Sequence, residues 1–211
     1  MKDVREQSVL VLLVDDEPAV TEALAWLLAS VRIPSRSFDS ANEFLQALDE
    51  IDGPVCAVLD LRMPETSGLE LQQKLLESGN DLPVMFLSAH GDVPAAVNAM
   101  QSGAIDFLQK PLSPQEFLTS VNRIVRLARE RYDLREHERE LQNELSKLSS
   151  REIDVLEGLR FGRTSKEIGR ALDISPKTVD VHRANILRKM NASSAAELLR
   201  RLGTVRARTP A

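Results

Sequence analysis

The chain has 211 residues, 43% of them hydrophobic and 28% charged, with a formal net charge of -5, a profile that fits one or two soluble globular domains and excludes a fibrous or disordered chain. Its one cysteine, Cys56, excludes an internal disulfide, no apolar run approaches the roughly 20 residues that span a bilayer, and the charged start MKDVREQS lacks a signal region, so a cytoplasmic protein without a membrane partner is expected. Residues 1–126 carry 9 Lys/Arg against 19 Asp/Glu, whereas residues 149–211 carry 13 against 7, which predicts two domains with different partners, the second partner a polyanion.

In chain order, short apolar runs alternate with amphipathic stretches. VLVLLV (9–14) predicts a strand, 18–30 a helix, SRSF (35–38) a weaker strand and 41–49 a second helix. VCAVLD (55–60), 68–77, PVMFLS (83–88), 93–102 and AIDFLQ (104–109) continue the alternation, with Gly103 where a helix C-cap is expected. Strands alternating with helices imply a parallel sheet covered on both faces. Five such units in about 125 residues fit an α/β, flavodoxin-like doubly wound domain. Trp26 and Cys56 are assigned to packing.

A further helix should start at Ser113–Pro114, a cap followed by proline in the first turn, and nothing stops it before Leu148. Leu127, Leu134, Leu141 and Leu148 recur every seven residues. The partner heptad position (Ile124, Arg131, Glu138, Leu145) is mixed, so the stretch reads as a solvated connector helix with a weak coiled-coil stripe. Residues 149–202 read as a compact helical region with turns at Phe161–Gly162–Arg163 and Asp173–Ile174–Ser175.

The chemistry collects at the carboxyl ends of the strands, where ligands bind in such sheets. Strand one ends in Asp15 and Asp16, strand three in Asp60, strand four in Ser88 and strand five in Lys110. Three carboxylates at one mouth repel one another unless a hard divalent cation sits among them, and Mg2+ favours few carboxylates together with a phosphate oxygen. Lys110 and Ser88 then offer a cation and a donor for phosphate oxygens. Asp60, the central acid, is the candidate nucleophile for an acyl phosphate. The competing reading of Asp15–Asp16 is plain capping of the helix that starts at Pro18.

The stretches LLVDDEP, VLDLRMPETSGLEL and FLSAHGDVPAAVNAMQSGAIDFLQKP resemble the CheY-like receiver domain of two-component response regulators, and the whole chain resembles the FixJ-like group of the FixJ/NarL family. The resemblance implies that Asp60 accepts phosphate from a cognate histidine kinase. Asp15, Asp16, Asp60 and the backbone carbonyl of Arg62 would hold Mg2+, with Mn2+ as an alternative. Ser88 and Lys110 would contact the phosphoryl group, Phe107 would be the switch aromatic beside Ser88, and the Lys110–Pro111 peptide would be cis. Arg62 and His90, two residues past Asp60 and Ser88, fall where relatives tune the dephosphorylation rate; the bland alternative is a solvated rim.

At the basic end, SKEIGRALDISPKTVDVHRANILRKM has helix–turn–helix spacing, with Ser175 capping a second helix and Pro176 in its first turn. At 100° per residue Val179, His182, Ile186 and Met190 share one face, and Lys177, Asp180, Val181, Ala184 and Arg188 share another. That second face mixes cations, a carboxylate and small apolar groups, as groove reading requires. LSSREIDVL, SKEIGRALDIS and KTVDVHRANILRKM resemble the LuxR-type DNA-binding domain. The resemblance implies phosphate contacts from Lys177, Thr178, Arg183 and Lys189, base reading at Asp180, Val181 and Ala184, and pairing of two domains through 193–203 on a twofold promoter site.

The expected architecture is a receiver at 1–126, a helical linker at 127–148 continuing the fifth receiver helix, a four-helix LuxR-type domain at 149–203 and a disordered tail at 204–211. The expected function is a phosphorylation-controlled transcription regulator that dimerises and activates transcription with RNA polymerase. It is not an enzyme beyond its own phosphotransfer and dephosphorylation. The rivals are a phosphate-independent or small-molecule-gated DNA binder, a Mg2+-dependent phosphohydrolase and a kinase-docking adaptor.

Overall fold

Four apolar runs and the weaker SRSF become the strands β1 (Leu10–Val14), β2 (Ser35–Phe38), β3 (Val55–Asp60), β4 (Val84–Ser88) and β5 (Asp106–Gln109). In the computed structural model, which describes residues 8–89 and 93–206, they form one parallel sheet in the order β2-β1-β3-β4-β5. Helices α1 (Pro18–Ser30), α2 (Ala41–Leu48), α3 (Gly68–Glu77) and α4 (Val93–Gln101) alternate with the strands, and α5 (Pro114–Leu145) follows. The expected doubly wound domain is therefore present.

The inner strands β1, β3 and β4 are apolar on both faces because both faces are covered. Val11, Leu13, Cys56, Val58, Met85 and Leu87 pack with Leu24 and Leu28 of α1 and with Phe117, Val121 and Ile124 of α5. The alternate residues Leu12, Val14, Ala57, Leu59 and Phe86 pack with Phe44 of α2, Leu71 and Leu75 of α3 and Ala99 of α4. Burial pushes the Cys56 thiol up to about 12, so it is a packing residue, as expected. Trp26 corrects the other half of that expectation, because it is 83% exposed. Helix α1 buries Thr21, Leu24 and Leu28, and two residues past Leu24 a helix has turned by about 200°, away from that face.

The chain divides into two compact units, Met1–Asp133 and Leu134–Ala211; the division falls inside α5. Helix α5 ends at Leu145, and Ser149 caps the next helix, α6 (Ser150–Arg160). Helices α7 (Ser165–Leu172), α8 (Pro176–Lys189) and α9 (Ala195–Arg206) complete the second unit. Residues 204–206, expected as tail, continue α9, and 207–211 lie outside the described residues. Part of the leucine stripe expected as a weak coiled coil packs locally. Leu134 is exposed, whereas Leu141 and Leu148 are buried in the second unit's own core, with Val155, Ile168, Val179, Ile186, Met190 and Leu198. The heptad spacing thus serves helix packing within the unit.

Truncating Leu141 should therefore destabilise only the second unit. In full-length Leu141→Ala the unfolding transition of residues 134–211 should lose about 2–4 kcal/mol, while the receiver transition stays in place. Differential scanning calorimetry separates the two.

Candidate functional site

Four of the five strand ends each contribute one functional side chain. Asp15 follows β1, Asp60 ends β3, Ser88 ends β4 and Lys110 follows β5. The strand order sets these ends side by side, and the sequence of connections reverses at β1/β3, where a ligand crevice forms. The backbone N–H of Lys110 donates to the Ser88 carbonyl at 2.7 Å, which fixes the start of the Lys110 side chain. Its ammonium reaches back past β4 and donates to Asp15 Oδ2 and Asp60 Oδ1, both at 2.7 Å. The other Asp60 oxygen, Oδ2, accepts the Arg62 backbone N–H at 2.7 Å, and Asp15 Oδ1 accepts that of Glu17 at 3.0 Å. The Lys110–Pro111 peptide is cis.

Gly68 allows this end to close. A Cβ there would lie 2.2 Å from the Asp60 carbonyl oxygen, so only glycine lets the start of α3 press against the end of β3. Ser67 and Glu70 form a capping box that starts α3 at that point.

Asp15, Asp60 and Ser88 are buried. Burial lifts the Asp15 carboxyl above its ordinary range, against hydrogen bonds from Lys110 and the Glu17 N–H. Burial also disfavours the Lys110 ammonium, but its bonds to both carboxylates outweigh this and raise its pKa. With Asp16, the crevice carries three acids against one cation. The three acids are not equivalent, however. Asp16 is exposed, and among the described residues no three Asp, Glu, His or Cys side chains form a metal-holding group. The expected trio is a convergent pair, Asp15 and Asp60, plus an outlying Asp16. Asp15 and Asp60 both reach the Lys110 ammonium, and a pair of carboxylates is a donor set that suits Mg2+, which binds through one or two carboxylates and keeps waters.

Phe107 is half-buried against the core beside α4. The Arg62 side chain is exposed at the rim. His90 lies outside the described residues.

The second site is α7–turn–α8. Asp173 adopts a left-handed conformation (φ 55°) and Ser175 caps α8 through the Thr178 N–H at 3.0 Å. Gly169 permits the tight turn, since a Cβ there would lie 2.7 Å from the Ile174 carbonyl. Val179, Ile186 and Met190 are fully buried, and His182 is half-buried beside them. Lys177, Thr178, Asp180, Val181, Ala184 and Arg188 are exposed, so the face read from the sequence exists. Two of the expected phosphate contacts are engaged within the unit. Arg183 Nη1 donates to Ser165 Oγ at 2.8 Å. Lys189 donates to Glu152 Oε2 at 2.7 Å and to the Lys147 carbonyl at 3.0 Å. Lys189, expected among the phosphate contacts, thus already carries an ion pair within the unit.

The sequence reading missed Glu152 and Arg201. Glu152, in a capping box with Ser149, is buried; burial opposes its charge, yet Lys189 and Ser149 hold its pKa down at about 2. Arg201 of α9 bonds Glu144 of α5 at 2.7 Å and the Met190 carbonyl at 2.6 Å. The S-x-x-E pattern was a readable signal for the box; nothing in one dimension pairs residues 152 and 189.

Residues 11–122 match the family model of the response regulator receiver domain, and residues 146–202 match that of bacterial regulatory proteins of the luxR family. The transcriptional regulatory protein TdiR of Thauera aromatica is 43% identical over 189 residues, covering 90% of this chain and 83% of TdiR. The transcriptional regulatory protein FixJ of Bradyrhizobium diazoefficiens is 37% identical over 190 residues, covering 90% of this chain and 92% of FixJ. The low-resolution structure of the response regulator StyR aligns with a TM-score of 0.82 at 39% identity, covering 94% of this chain and all of that one.

Two outcomes follow from the charges. Because the Asp15 carboxyl is raised, its ionised form costs stability at neutral pH, and that cost disappears below its ordinary value of 3.8. Without divalent cations, Asp15→Asn should raise the receiver melting temperature at pH 7 by about 2–4 °C, and the gap should close towards pH 3.8. Glu152 has the opposite sign. Its contribution should be complete above 4.5 and be lost as the pH falls towards 2. In Glu152→Gln the second unit should lose about 1–2 kcal/mol at pH 7, and the difference from wild type should shrink across that acid window in thermal melts.

Proposed function

The chain belongs to the two-component response regulators that join a receiver domain to a luxR-family DNA-binding domain, and we propose that phosphorylation of Asp60 by a histidine kinase drives its dimerisation and sequence-specific DNA binding. The observation that carries this reading is the Lys110 ammonium held 2.7 Å from both Asp15 and Asp60. It presents a nucleophilic carboxylate, oriented by the Arg62 N–H on its second oxygen, beside a cation able to pair with incoming negative charge.

In the proposed transfer an Asp60 oxygen attacks phosphorus as the kinase's P–N bond breaks. The bonding pair leaves with the imidazole nitrogen, which takes a proton, and an acyl phosphate remains. Asp15, Asp16, Asp60 and the Arg62 backbone carbonyl are the residues that would hold Mg2+, or Mn2+ in its place, whose charge offsets that of the phosphoryl oxygens. Lys110 exchanges a carboxylate for a phosphoryl oxygen, the Ser88 hydroxyl donates to another, and Phe107 turns inward beside Ser88. Arg62, exposed at the rim, and His90, two residues past Ser88 in the chain, tune hydrolysis.

The α4–β5–α5 surface is the proposed dimer face. Val93, Val97 and Met100 on α4 are 69%, 47% and 47% exposed, an apolar stripe at helical spacing that pairing with a second copy would cover. In the dimer, two basic domains engage a twofold promoter site, with Lys177, Thr178 and Arg188 on phosphates and Asp180, Val181 and Ala184 at base edges, and RNA polymerase is the downstream partner. Linked binding of two half-sites supplies the gain in affinity.

Acetyl phosphate with Mg2+ should produce an acid-labile adduct on wild type and none on Asp60→Asn, read by mass spectrometry. Beryllofluoride with Mg2+ should shift wild type from monomer to dimer in sedimentation and raise DNA affinity by about 10–100-fold. Met100→Glu should keep the adduct and lose the dimer. DNA affinity unchanged by beryllofluoride and by Asp60→Asn would overturn the reading in favour of a phosphate-independent regulator.

A further inference from the structure

We infer, resting on the DNA-binding reading above, that Ser165 is a positioning residue for sequence readout: its hydroxyl locks Asp180 and Arg183 of α8 into one arrangement and so sets which base pair the Asp180 position accepts. Ser165 opens α7, outside the helix that enters the groove in this reading. Its Oγ donates to Asp180 Oδ1 at 2.7 Å and accepts from Arg183 Nη1 at 2.8 Å. The directions are unambiguous. A guanidinium only donates and a carboxylate only accepts, so the single hydroxyl proton lies towards Asp180.

Asp180 and Arg183 are one helical turn apart, 3.8 Å between Oδ1 and Nη1, with side chains 62% and 36% exposed. A direct ion pair at that separation is weak; the hydroxyl makes it a connected chain of two short bonds. Two consequences bear on recognition. An exposed carboxylate facing phosphates is repelled, and a guanidinium fixed beside it offsets that repulsion. The carboxylate also keeps one rotamer, and base-edge hydrogen bonds discriminate only when the donor or acceptor is held in place.

The cap of α7 does not depend on Ser165. Thr164 and Glu167 form that capping box, so removing the Ser165 hydroxyl leaves the helix start intact. Ser165→Ala therefore isolates the positioning effect, and Ser165→Thr restores a hydroxyl.

The test is selection from randomised duplexes with the full-length, beryllofluoride-activated chain as wild type, Ser165→Ala and Ser165→Thr, with melting curves for each. Wild type should enrich one sequence. Ser165→Ala should relax the preference at one base pair per half-site and lower the ratio of specific to random-duplex affinity about tenfold, at an unchanged melting temperature; Ser165→Thr should recover the wild-type profile. An unaltered preference in Ser165→Ala overturns the inference. So does an equal loss of affinity for specific and random duplexes, which is the mark of a direct phosphate contact, or a failure of threonine to restore the profile. A wild-type chain that enriches no sequence overturns the DNA-binding reading itself, and this inference with it.

Discussion

Lys110 enters the crevice from the end of β5, yet the acids it holds belong to β1 and β3, on the far side of β4. Two buried carboxylates side by side repel one another, and a cation between them offsets that repulsion. The ammonium makes the arrangement tolerable and leaves the crevice with an excess of negative charge. Everything at that end is arranged around this bond. The Lys110 N–H is pinned to Ser88, the Arg62 N–H holds the free side of Asp60, and Gly68 lets α3 close over the end of β3. A pocket poised in this way responds to an added phosphoryl group because the ammonium already has partners it can exchange.

The second unit uses its charges differently. Several of its cations work inside the fold: Lys189 on Glu152 and Lys147, Arg201 on Glu144 and Met190, Arg183 on Ser165. With Leu141, the Glu144–Arg201 pair makes the last turns of α5 part of this unit, just as Phe117, Val121 and Ile124 make its first turns part of the receiver core. One helix is thus a structural member of both units. The excess of basic residues that marked this half as a polyanion binder is therefore an overcount of the groups free to meet one.

Much of the fold was legible because its signals are local. Alternating apolar runs and 3.6-residue periods placed the five described strands and the first four helices to within a few residues, and a proline after a polar cap located the starts of α5 and α8. Errors arose where local and tertiary signals share one pattern. A leucine every seven residues fits a coiled coil and a packed terminal helix alike, and only the burial of Leu141 and Leu148 separates them. Trp26 reads as core by its chemistry, but its angular position on α1 sends it outward.

The amino-acid sequence alone determined which groups gather at the sheet's mouth, since parallel strands all end on one side and their last residues must meet there: Asp15, Asp60, Ser88 and Lys110. It also determined which face of α8 is apolar, because helical period is a property of the chain. Only the tertiary structure decided how these charges are partnered. A hydrogen bond depends on distances between residues 50 or 95 positions apart, as in Lys110 with Asp60 and Asp15, and composition carries no record of them. For the same reason Asp16 stands apart from the pair it adjoins, Lys189 turns inward, and Ser165 reaches Asp180 and Arg183 across a turn.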